Sequence, residues 1–149
     1  MTWTFPYTSP PEIAWRLSTG DQGPNVLLIE DDRSIAEMYT LQLKVDGFQV
    51  RVAGDGRSGL ATLRERPPDL LLLDLRLPQQ DGFEVLKEIR SDPSLAALPV
   101  VILSNYGDAG VISRGLEMGA LDYLVKSQTT PALLSAKVRA WLSGSPPND

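Results

Sequence analysis

The sequence predicts an α/β protein, a doubly wound five-stranded parallel sheet with helices on both faces. Three observations carry that prediction. Short apolar blocks without interruption recur along the chain, stretches with apolar residues at three- and four-residue spacing follow them, and Gly or Pro marks the junctions. Blocks that are apolar at every position suit strands covered on both sides. Right-handed crossovers then place helices above and below one sheet.

Each element can be justified in order. Val26-Leu27-Leu28-Ile29 is the first strand. The helix after it carries Ile35, Met38, Tyr39, Leu41, Leu43 and Val45 on its apolar side, and Gly47 stands where a C-terminal cap belongs. Residues 48–53 alternate as a half-buried edge strand. Leu60 and Leu63 mark a short second helix, stopped by Pro67-Pro68. Leu70-Leu71-Leu72-Leu73 reads as the most buried strand. Phe83, Leu86 and Ile89 define a third helix, Val100-Val101-Ile102-Leu103 a fourth strand, Ile112 and Leu116 a fourth helix, and Tyr123-Leu124-Val125 a fifth strand. Thr130-Pro131 opens the last helix with a capping residue and Pro at the first helical position, turning Leu134, Val138, Trp141 and Leu142 inward.

These elements fill residues 25–142, one domain. Residues 1–24 read as an irregular arm, broken by Pro6, Pro10, Pro11, Gly20, Gly23 and Pro24. The arm holds Trp3, Phe5, Tyr7 and Trp15, although disordered segments are normally poor in aromatic residues. Docking of some of these rings on the domain or on a partner is the sharper reading. Residues 11–17 suit a short helix on such a surface. Residues 143–149 read as a tail or linker stub.

Composition removes several chemistries. With neither Cys nor His, the chain lacks a required part of disulfide frameworks, zinc fingers, Cys nucleophiles and Ser-His-Asp hydrolysis. A formal net charge of −5 argues against direct binding of nucleic acid, which needs clustered Lys and Arg. No apolar run approaches a membrane span and no basic-then-apolar leader opens the chain, so a soluble cytoplasmic protein is expected.

In open parallel sheets, ligands bind at the carboxyl ends of the strands. There the first strand runs into Glu30-Asp31-Asp32, the third ends at Asp74, the fourth at Ser104-Asn105 and the fifth at Lys126. Clustered carboxylates repel unless a cation neutralises them, and oxygen donors without His or Cys select Mg²⁺. A carboxylate can act as nucleophile toward phosphorus, while an ammonium and a hydroxyl satisfy the transferred oxygens. Asp32 is better placed as a helix cap.

Four motifs resemble the response-regulator receiver domains of two-component signalling. They are residues 26–32, Val-Leu-Leu-Ile-Glu-Asp-Asp; Asp74-Leu-Arg-Leu-Pro78 continuing to Asp81-Gly82; residues 100–104, Val-Val-Ile-Leu-Ser; and residues 119–126, Gly-Ala-Leu-Asp-Tyr-Leu-Val-Lys. The resemblance spans roughly residues 25–142 and implies the flavodoxin-like strand order 2-1-3-4-5. It implies that Asp74 is the phosphoacceptor and that Asp31, Asp74 and the main-chain carbonyl of Arg76 bind Mg²⁺, with Glu30 acting through water. Ser104 and Lys126 would contact the phosphoryl group. Tyr123 would be a switch aromatic, turning from an exposed to an inward rotamer as Ser104 moves. The phosphoryl donor would be a histidine kinase or histidine phosphotransfer protein, in keeping with a chain that has no His. Output would pass to a protein target through the face of the fourth helix, fifth strand and last helix. Self-phosphorylation and self-dephosphorylation, rather than turnover, would be its activity, with a stand-alone, chemotaxis-regulator-like receiver as the simplest form.

Some positions depart from that pattern. Ser127 stands where many members have Pro, and a trans bond is expected because a cis non-proline bond costs about 2.5–4 kcal/mol. Asn105 is bulkier than the residue often found there. Arg76 and Tyr106 stand where their side chains can shield an acyl phosphate from water. Two other readings compete. Gly54-Asp-Gly-Arg-Ser-Gly59 matches a dinucleotide fingerprint, but Asp55 puts a carboxylate where a pyrophosphate must approach, and the glycines read more simply as a flexible loop serving a turn. An aspartate-nucleophile phosphohydrolase would need a second acid where Arg76 stands.

Overall fold

The computed structural model describes residues 23–144. The aromatic arm and the tail fall largely on residues 1–22 and 145–149, outside the described residues. Among the described residues, five strands alternate with five α-helices: β1 (Asn25–Ile29), α1 (Arg33–Val45), β2 (Gln49–Ala53), α2 (Gly56–Glu65), β3 (Leu70–Leu73), α3 (Gly82–Ser91), β4 (Val100–Ser104), α4 (Ala109–Glu117), β5 (Asp122–Val125) and α5 (Pro131–Leu142). All strand pairs are parallel, in the order β2-β1-β3-β4-β5. The predicted fold class and strand order are the observed ones.

The two-residue period of a strand sorts the core into two layers. Leu27, Ile29, Leu71, Leu73 and Ile102 face α2 and α3, where they meet Leu60, Leu63, Val85, Leu86 and Ile89. Val26, Leu28, Leu70, Leu72, Val101 and Leu103 face α1 and α5, meeting Tyr39, Leu43, Leu134 and Val138. Every residue of β3 is fully buried, in accord with its reading as the innermost strand. Trp141 and Leu142 are only partly buried against the second layer.

On α1 the apolar side was read too broadly. Ala36, Tyr39 and Leu43 are its buried residues, whereas Met38, Leu41 and Val45 are 44%, 68% and 73% exposed. One stripe of a surface helix suffices to seal the sheet, so a second apolar stripe points to solvent. Leu116 of α4 also lies outward. The expected short helices and strands otherwise stand where the apolar blocks place them.

Two of the three glycines of residues 54–59, Gly56 and Gly59, lie inside α2 rather than in a turn. None of the three has a positive φ. Gly56 lies so close to α3 that a Cβ there would stand 2.8 Å from Val85 Cγ2, and a Cβ on Gly59 would overlap Ile29 Cδ1. They let α2 approach the sheet and its neighbour. Asp55 caps α2, its carboxylate accepting from the Ser58 N–H at 2.8 Å, so the helix start is already occupied by an anion.

Candidate functional site

The register delivers the polar residues to one rim. Ile29 pairs with Leu73, so Glu30 and Asp74 are the next residues on adjacent strands, and Ser104 pairs with Val125, the residue before Lys126. The ladder continues past the strand ends, the Glu30 N–H donating to Ala53 O and the Asp74 N–H to Ile29 O. One local device recurs at three of the ends. The N–H two residues on donates back to the side chain: Asp32 to Glu30 Oε2 (3.1 Å), Arg76 to Asp74 Oδ1 (3.3 Å) and Tyr106 to Ser104 Oγ (3.1 Å). Such turns fix each side chain over the rim as the chain leaves the sheet.

Glu30, Asp74 and Ser104 are buried, whereas Asp31 is exposed. Carboxylate oxygens of Glu30, Asp31 and Asp74 lie within 4.8 Å of one another. The Lys126 ammonium stands 2.5 Å from Glu30 Oε1 and 3.2 Å from Asp74 Oδ2. Burial pushes the Glu30 carboxyl up to about 7, against the pull of the Lys126 and Asp32 hydrogen bonds, with the Asp74 charge pushing the same way as burial. Burial works to lower the Lys126 value, but the hydrogen bond and charges of Glu30 and Asp74 outweigh it, and the ammonium is held above its ordinary value.

Three carboxylates against one ammonium leave an excess of two formal negative charges, all on oxygen. That donor set suits a hard divalent cation reaching the exposed side through Asp31. The Asp32 carboxylate stands outside the acid cluster and caps α1, accepting from the Ile35 N–H at 3.1 Å. Thus the structure brings Glu30, Asp31, Asp74 and Lys126 together, Ser104 stands at the same rim on the neighbouring strand, and the Arg76 N–H is bonded to Asp74.

Of the two rotamers expected for Tyr123, the structure shows one. Its ring is 7% exposed and its hydroxyl donates to Tyr106 O at 2.5 Å, so the structure holds the inward arrangement. Burial raises the Tyr123 pKa, in keeping with a phenol that stays a donor. The Arg76 guanidinium lies over the Tyr106 ring, 5.1 Å from its centre, so the two expected shields form one stacked pair. The Lys126–Ser127 bond is trans, as expected, and a single 3-10 turn spans Lys126–Gln128.

Two supporting residues escaped the sequence reading. Tyr39, taken only as core, donates its hydroxyl to Thr129 O at 2.8 Å and anchors the segment after Lys126. Gly82 lets α3 begin against the backbone at the end of β3, since a Cβ there would overlap Asp74 O. Only its place in the Asp81-Gly82 motif hinted at this.

Comparison with known proteins agrees with this geometry. The family model for the response regulator receiver domain matches residues 26–138. The DNA-binding response regulator MtrA of Mycolicibacterium paratuberculosis is 43% identical over 117 residues, 78% of this chain and 50% of that protein. The Francisella response regulator 1452 receiver domain superposes with a TM-score of 0.76 at 29% identity, covering 82% of this chain and 98% of that one. The Mn²⁺-bound form of response regulator Rcp1 superposes with a TM-score of 0.73 at 29% identity, covering 85% and 100%. The chain spans about half the length of the curated relatives it matches. No helix among the described residues is long and apolar enough to cross a membrane. Five parallel strands in this order, an acid cluster at their carboxyl ends and a match over most of the chain lead to one assignment: the protein belongs to the response regulator receiver domain family of two-component signalling.

Proposed function

We propose that Asp74 accepts a phosphoryl group from a phosphohistidine of a histidine kinase or histidine phosphotransfer protein in the cytoplasm, residues 25–142 forming the working receiver. The observation that carries this reading is the Asp74 carboxylate, buried beside the Lys126 ammonium and within reach of Glu30 and Asp31. An Asp74 oxygen forms the new P–O bond as the P–N bond to the donor imidazole breaks, and the bonding pair leaves with the imidazole nitrogen. Mg²⁺ is the cation that fits the donor set: Asp31, Asp74 and the Arg76 carbonyl would hold it, Glu30 would act through water, and it would neutralise charge on the transferred oxygens. Lys126 exchanges part of its pairing with Asp74 for a phosphoryl oxygen, and the Ser104 hydroxyl donates to another. The Mn²⁺-bound relative supports a divalent ion here.

The Arg76–Tyr106 stack, formed two residues beyond Asp74 and Ser104, slows attack by water on the acyl phosphate. In the double variant Arg76→Ala/Tyr106→Ala, the phosphorylated form decays faster than in the wild type. An unchanged decay rate removes this role. The phosphoryl group draws Ser104 and its Tyr106 partner, biasing the seat of Tyr123 and so the face of α4, β5 and α5 that a downstream protein reads. A turnover phosphohydrolase is not favoured, because Arg76 cannot serve as its general acid.

Mass spectrometry after treatment with acetyl phosphate and Mg²⁺ tests the assignment. The wild type gains a single phosphoryl group on Asp74, Asp74→Asn gains none, and Lys126→Ala is labelled roughly tenfold or more slowly. Labelling of Asp74→Asn at the wild-type rate, or a modified residue elsewhere, overturns it.

A further inference from the structure

At the rim opposite the acid cluster, the strand starts leave a cavity of about 380 Å³ beneath β3, β4 and β5. Leu70, Leu98, Pro99, Leu121 and Trp141 give it an apolar wall, and Leu121 is 48% exposed. Arg90 completes the lining. Its guanidinium is fixed by three carbonyls, Nη1 donating to Ala96 O (3.1 Å) and Leu98 O (2.9 Å) and Nη2 to Gly119 O (2.7 Å). It pairs with no carboxylate among the described residues. Arg76, Arg114 and Arg139 each stack on a ring, whereas Arg90 has no ring partner among the described residues. A guanidinium held flat among apolar walls is suited to the face of an aromatic ring. The volume lies at the small end of ligand clefts, room for one ring system.

The chain's own course supplies that ring. Asn25 and Asp69 are doubly bonded, the Asn25 N–H donating to Asp69 Oδ2 (2.7 Å) and the Asp69 N–H to Asn25 O (2.8 Å), and Asp69 adjoins Leu70 of the cavity wall. The chain therefore enters β1 at the same rim. Trp15 lies eight residues before Gly23, a reach of roughly 26–29 Å when extended. Crossing from β1 to the far wall at β5 needs only about 15 Å, three strand spacings. Residues 145–149 carry no aromatic side chain.

We propose that this cavity binds the indole of Trp15, fastening the N-terminal segment beneath the sheet with its ring against the Arg90 guanidinium. Trp15 is the nearest aromatic residue before β1, so it closes the shortest loop, and Ile13 and Leu17 flank it with further apolar surface. The site is independent of the acceptor chemistry at the other rim.

Fluorine NMR of the full chain carrying 5-fluorotryptophan at Trp3, Trp15 and Trp141 tests the proposal, with each resonance assigned by Trp→Phe substitution. In the folded wild type the Trp15 resonance stands away from its position in the urea-unfolded chain. Leu121→Glu, a charge on the half-exposed rim, returns it to that position while Trp3 stays where it was. Should Leu121→Glu fail to melt cooperatively, Trp15→Ala replaces it, and the Trp141 resonance shifts because its ring lines the emptied cavity. A Trp15 resonance at the unfolded position in the folded wild type overturns the proposal, as does one that a folded Leu121→Glu leaves unmoved. A displacement that fades on tenfold dilution assigns the cavity to a second copy and overturns it too.

Discussion

Gly59 shows how much a single absent methyl group decides. Its α-carbon faces Ile29, fully buried at the end of β1, and a Cβ would overlap Ile29 Cδ1. Packed cores answer such insertions with shifted rotamers and backbone, at about 1–3 kcal/mol. Gly59→Ala should lower the urea-unfolding free energy by that amount, while Gly54→Ala, with nothing within 4 Å of its Cβ, should stay within about 0.5 kcal/mol of the wild type. Equal losses in the two variants would remove the packing explanation. The two glycines occur in one short string, and the sequence does not distinguish them. Whether a Cβ meets space or a side chain depends on how closely α2 approaches the sheet, which no local pattern encodes. Glu30, Asp74, Ser104 and Lys126 were easier to find, because each interrupts an apolar block where the chain must leave a buried strand. Which of its exposed and inward rotamers Tyr123 adopts was not legible, because the inward seat rests on the Tyr106 carbonyl, a backbone atom.

Helices differ in how firmly their first turns are tied. Asp81 and Glu84 form a reciprocal capping box at the start of α3, the Asp81 carboxylate accepting from the Glu84 N–H and the Glu84 carboxylate from the Asp81 N–H. Asp108 stands in the same position before α4 and makes no such bond, and Gly115 is the only buried residue of that helix. Asp81→Ala should therefore cost about 0.5–2 kcal/mol, and Asp108→Ala less than about 0.5 kcal/mol, in urea unfolding. Native-state hydrogen exchange should find the amides of α4 opening before those of α3. The looser helix is the one beside Tyr123. At this scale the alternation of blocks and periodic stretches made nearly every element legible. The excess was on α1, where spacing finds apolar positions but does not say how many of them the sheet below can cover. Leu41 and Val45 fit the helical period and still face water.

Charge ties the whole molecule to the ion it is suited to hold. The folded chain gathers three carboxyl groups around one ammonium, a set the unfolded chain disperses, so a cation bound only by the folded form stabilises it by mass action. Mg²⁺ at a hundred times its dissociation constant should add about 2.7 kcal/mol to the stability of the wild type. Asp31→Asn should lose most of that gain while keeping the Lys126 pairing, and an equal gain in both chains would place the ion elsewhere. Across the sheet, the first described residue and the end of α5 lie at the rim away from the acids, because β1 starts there and α5 runs back from the segment after Lys126. The backbone before Gly23 and after Gly144 therefore departs from the rim opposite the carboxylates, so the described domain meets the rest of its chain away from the acid cluster.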